Sequence, residues 1–73
     1  MVRREHFVNK IRSLGYKFKD EQKRTYLYRK TNGTHFISVP KPDLLEDEYV
    51  MSVLRQAGLT DEDIKAFIAS ARS

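Results

Sequence analysis

The apolar positions of this chain switch between helical and alternating spacing, and each switch predicts an element. In RREHFVNKIRSLG, Phe7, Ile11 and Leu14 recur at helical intervals with Val8 beside them. That pattern predicts a helix over roughly residues 3–14, closed by Gly15, since glycine readily takes the left-handed conformation that ends a helix. In YKFK, Tyr16 and Phe18 alternate with Lys17 and Lys19, the signature of a half-buried strand with both lysines on one side. The polar run from Asp20 to Lys23 turns the chain. RTYLYRK and HFISVP then flank Asn32-Gly33, a strong short-range signal for a β-hairpin, and Pro40 stops the last strand.

With Asn32-Gly33 as a two-residue turn, Lys30 faces His35, Tyr28 faces Ile37 and Tyr26 faces Val39. Those pairs share one face, which Tyr16 or Phe18 joins to make the core side. Thr25, Leu27, Arg29, Phe36 and Ser38 share the other, leaving an open face with a Leu27–Phe36 patch. After an extended Pro-Lys-Pro loop, Val50, Val53, Leu54 and Ala57 predict a helix from about Glu46 to Ala57, closed by Gly58. A last helix follows Thr60, a candidate N-cap ahead of an acidic first turn, with Ile64, Phe67 and Ile68 on its apolar side. The predicted order is α-β-β-β-α-α: an α+β domain spanning residues 1–73, with a three-stranded antiparallel sheet and helices on one face.

Charge sharpens this picture. Residues 1–42 carry eleven Lys and Arg against three Asp and Glu, a net +8, whereas residues 43–73 carry three against seven, a net −4. A domain polarised in this way can turn a basic surface toward phosphates. Lys17, Lys19, Lys23, Arg24, Arg29, Lys30 and Lys41 form that basic set. Tyr26 and Tyr28 are available for base stacking only if they leave the core side. No apolar run is long enough for a membrane span, no apolar segment follows the basic start as in a signal peptide, and a cytoplasmic protein without membrane association is expected.

Candidate catalytic groups are few. There is no cysteine, no Gly-x-Ser-x-Gly elbow and no glycine-rich phosphate loop. The cluster Glu46-Asp47-Glu48 reads as a helix start, no metal or other cofactor is expected, and His6 and His35 belong to no metal-ligand spacing. General acid–base work on RNA would fall to an imidazole, and His35, beside the hairpin turn and near Lys30, is the better placed of the two. The alternative is a strand histidine with no proton to move.

The order of elements, together with LGY, ISVP and above all VLRQAGLTDEDI, resembles the HicA family of small bacterial toxins, the mRNA interferases of HicA–HicB toxin–antitoxin systems. The resemblance covers about residues 4–68. It implies a double-stranded-RNA-binding-domain-like fold, metal-independent RNA cleavage by one histidine in a Gly-Ser-His motif at the start of the second strand, and a HicB antitoxin that covers this site. Here Lys23-Arg24-Thr25 stands where that motif belongs, and Thr25 occupies the histidine's place. Threonine cannot exchange a proton near pH 7. His35 lies well over ~10 Å along the strands from Thr25 and could only define a different site.

The expectation is a HicA-like endoribonuclease relative that binds RNA through Lys17, Lys19, Lys23, Arg24 and Arg29, with family-type cleavage lost or impaired. Two alternatives stand beside it. One is a protein-interaction module whose Leu27–Phe36 patch docks an antitoxin-like partner or a second copy. The other is a working ribonuclease that uses His35.

Overall fold

Phe7 and Ile11, one helical turn apart, both point into the core of the computed structural model, which describes residues 1–71. They belong to α1 (Arg4–Ser13), preceded by the two-residue strand β1 (Val2–Arg3). The helix ends where Gly15 takes φ +98°, and the Gly15 N–H bonds back to the Arg12 carbonyl. The antiparallel sheet follows in the order β2 (Tyr16–Glu21), β3 (Thr25–Lys30), β4 (Phe36–Pro40). A second short strand, β5 (Leu44–Leu45), precedes α2 (Asp47–Gln56) and α3 (Asp61–Ala71). The chain is a small α+β domain whose three-stranded antiparallel sheet packs against helices.

The β3–β4 register matches the sequence reading: Tyr28 opposes Ile37, Tyr26 opposes Val39, and the Lys30 N–H bonds to the His35 carbonyl at 3.0 Å. The turn itself differs. Gly33 does not adopt positive φ, and its N–H bonds to the Lys30 carbonyl at 3.3 Å. The connection is a four-residue loop built on an ordinary turn rather than a two-residue mirror-image turn. The cause is Thr31: its N–H and its hydroxyl both donate to the Gly15 carbonyl, at 2.9 and 2.8 Å, which draws it off the hairpin ladder.

In β2 the expected alternation breaks. Lys17 opposes Arg29 and Phe18 opposes Tyr28, but the next pair is Asp20 with Leu27, so Lys19 is an extra residue in a bulge. The expectation that Lys17 and Lys19 share a side through simple alternation is therefore corrected. Asp20 takes the regular place beside Lys17 on the open face, and Lys19 has no partner across the ladder. Of the two β2 aromatics, Tyr16 is buried, while Phe18 stays 56% exposed with its ring against Tyr26 and Tyr28.

The core gathers Phe7 and Ile11 from α1, Tyr16, Tyr28, Ile37 and Val39 from the sheet, Val50 and Leu54 from α2, and Ile64 and Ile68 from α3. Val2, Leu45 and Ala71 join them. The segment read as an extended loop after Pro40 carries β5, which pairs with β1 (Val2 with Leu45, Arg3 with Leu44), and the Arg4 N–H bonds to the Asp43 carbonyl. α2 ends at Gly58 (φ +99°), with the Leu59 N–H bonded to the Leu54 carbonyl and the Gly58 N–H to that of Arg55. Thr60 caps α3 through its hydroxyl, which accepts the Asp63 N–H at 3.1 Å.

Tyr49 ties α2 to both α1 and the sheet. Its ring meets Phe7 edge-on at 5.7 Å and its hydroxyl donates to the Ser38 carbonyl. Burial pushes its phenol up from 10.0 to about 12. Because the folded value lies above the unfolded one, the protonated phenol contributes stability that is fully present below pH 10 and is lost as pH rises toward about 12. Chemical denaturation across that window is expected to show falling stability, and Tyr49→Phe is expected to flatten the decline. Burial moves Tyr16 in the same direction, so some slope remains in the variant.

Candidate nucleic-acid interface

One end of the β2–β3 hairpin gathers cations that make no ion pair among the described residues. Lys17 and Arg29 are directly opposed across the ladder. Like charges in that position repel, which costs stability unless an anion lies between them. Lys30 follows Arg29, and the Lys19 bulge projects from the adjacent edge. Together Lys17, Phe18, Lys19, Arg29, Lys30 and Thr31 line an open groove of about 400 Å³ that contains no acidic residue. The Arg29 Nε donates to the Gly33 carbonyl at 3.3 Å, which aims the guanidinium while leaving its terminal amino groups for a ligand. Lys30 Nζ stands 6.0 Å from the centre of the Tyr16 ring.

Several acids are engaged elsewhere, and Asp20, the nearest on the same face, accepts the Glu21 N–H at 2.9 Å. Glu21 pairs with Lys41 at 2.8 Å, Asp43 with Arg4 at 3.6 Å, Glu5 with Arg3 at 3.6 Å and Asp61 with Arg55 at 3.3 Å. Among the described residues, Lys17, Lys19, Arg29 and Lys30 make no ion pair. A larger recess of about 520 Å³ is lined by Arg3, Arg4, Glu5, Asp43 and Leu44, but its cations face its own carboxylates. Size therefore points to one cavity and charge to the other. For an anionic ligand, charge decides.

Of the five cations expected to contact phosphate, the structure brings Lys17, Lys19 and Arg29 together and sets Lys23 and Arg24 apart. Those two sit at the tip joining β2 to β3, about 15 Å along the strands from the groove. Thr25 opens β3 beside them. Its hydroxyl donates to the Gln22 side-chain carbonyl at 3.1 Å, and its own carbonyl accepts the Gln22 N–H at 2.8 Å. It is thus a turn-closing residue. Lys41 leaves the basic set through Glu21 and the Tyr26 ring, whose centre lies 5.2 Å from its Nζ. Tyr28 is buried, and Tyr26 lies half-buried beneath Lys41 and Arg4. Neither offers a free stacking surface.

The histidines have internal partners. His35 Nδ1 lies 2.5 Å from the Tyr16 hydroxyl, and burial holds that phenol in its protonated form. His6 Nδ1 lies 3.4 Å from the Ala71 carbonyl, between α1 and α3. Phe18 and Thr31 were not anticipated in the groove. The bulge that re-aims β2 and the Gly15–Thr31 bonds that shape the loop are non-local, and only the density of lysines nearby hinted at the place. Compared with family models, curated proteins and solved structures, the chain finds no match.

Proposed function

We propose that this chain is a HicA-like, double-stranded-RNA-binding-domain-like protein of toxin–antitoxin type that holds RNA in the cytoplasm, with the family's metal-independent cleavage lost or impaired. The observation that supports this most is the groove itself: four cations, no acid and no ion pair among the described residues. Cations so arranged gain affinity for a polyanion by releasing its counterions, whatever its sequence. At the position the resemblance assigns to the catalytic imidazole stands Thr25, whose hydroxyl is engaged with Gln22 and has no usable proton affinity near neutrality. The partner class that accompanies this reading is a HicB-like antitoxin.

The test is a labelled RNA incubated with purified protein at low ionic strength. Anisotropy is expected to rise with protein concentration while a denaturing gel shows the RNA intact, and Thr25→Ala is expected to change neither result. Cleavage abolished by His35→Ala would replace this reading with a ribonuclease working through His35. An anisotropy that stays flat at low salt would end the RNA reading altogether.

A further inference from the structure

We propose that the strand held in the groove is unpaired and that Phe36 stacks on one of its bases. This inference rests on the nucleic-acid reading above and names the class of ligand that fits it. On the open face of the sheet, the ladder sets Lys17, Arg29 and Phe36 in one row, each the direct cross-strand neighbour of the next. Adjacent strands lie about 4.8 Å apart, so the Phe36 ring sits about 10 Å across the sheet from Lys17. That is the scale on which a base stands off from its own phosphodiester.

Phe36 is 45% exposed although it lies within a strand, and half-buried Leu27 lies diagonally beside it. The next row along the same face is Asp20, Leu27 and Ser38. The Asp20 carboxylate repels phosphate there, which keeps the backbone track at the groove end of the hairpin and turns the bases toward Phe36. Phe18 is more exposed and also lines the groove, but its ring already packs against Tyr26 and Tyr28, whereas Phe36 has no aromatic partner among the described residues. A duplex buries the faces of its bases and cannot use an aromatic ring on a sheet, whereas an unpaired strand can. Two cations and an exposed ring in one row match the alternation of phosphate and base along such a strand.

Three variants test the assignment against a single-stranded RNA 12-mer and a hairpin duplex with the same number of phosphates. Phe36→Ala is expected to weaken single-strand binding about tenfold while leaving duplex binding and the salt dependence unchanged. Phe36→Tyr is expected to retain the affinity, and the fluorescence of Phe36→Trp is expected to be quenched by the 12-mer and not by the duplex. Circular dichroism melting confirms that each variant is folded. RNA bound equally with and without the ring overturns the stacking assignment and leaves the phosphate groove standing, whereas wild-type protein that binds neither RNA removes the reading beneath it. A particle mass that falls from dimer to monomer in Phe36→Ala would show that this face binds a second copy, and would likewise overturn the proposal.

Discussion

Replacing Lys17, Lys19, Arg29 and Lys30 together by glutamine is expected to lower RNA affinity roughly 500-fold at 0.1 M salt. Each phosphate contact to a single strand adds about 0.7 to the exponent that links affinity to salt, so four contacts account for nearly three decades at that concentration. The four side chains are exposed and form no ion pair among the described residues, so the variant keeps its core and its melting temperature. It also relieves the repulsion between Lys17 and Arg29 across the ladder. The informative control is Lys23→Gln with Arg24→Gln. Those two cations lie at the opposite end of the hairpin, and their loss is expected to cost far less than that of Lys17 and Arg29. Anisotropy titrations of all three proteins at one salt concentration provide the comparison.

Phe7→Ala carries the largest expected effect on the fold itself. Phe7 is fully buried, and its ring packs edge-on against Tyr49. Truncating a buried phenylalanine costs about 3–5 kcal/mol through lost transfer energy and the cavity left behind. A domain of 73 residues buries a modest fraction of its surface, and its total stability belongs near the lower end of the usual ~5–15 kcal/mol. The substitution removes most of that margin and is expected to depress the melting temperature by on the order of 20 °C. Phe36→Ala, which truncates an exposed ring, is expected to change stability by no more than about 0.5 kcal/mol. Thermal melts of the two variants side by side separate a core phenylalanine from a surface one.

Local signals carried much of the fold. The spacing of Phe7 and Ile11, the glycines at 15 and 58, the Thr60 cap and the alternation around Asn32-Gly33 each name an element whose stability is decided within a few residues. The β3–β4 register was legible because Asn32-Gly33 centres the hairpin, and a one-residue slip would turn Ile37 and Val39 away from the core. What stayed hidden depends on partners distant in the chain. β1 and β5 have two residues each, too few to show a period, and exist because Val2 and Leu45 meet in the core. The Lys19 bulge is a mismatch between two strands and has no signature in either alone.

The same division applies to the site. The excess of Lys and Arg in the first half of the chain marked the hairpin as basic, but which cations stand free depends on which acids fold back to pair with others. Glu21 takes Lys41 across 20 residues of sequence, and Asp43 takes Arg4 across 39.

The measurement that bears most directly on the central claim is the salt dependence of RNA binding by the wild-type protein, titrated from 50 to 200 mM monovalent salt. With four cations on the phosphates, the logarithm of affinity is expected to fall against the logarithm of salt with a slope near −3, a loss of about 50-fold over that range. Lys17→Gln with Arg29→Gln is expected to flatten the slope by about 1.4. A slope near zero in the wild type, or one that the double substitution leaves unchanged, would contradict the assignment of this groove to phosphate.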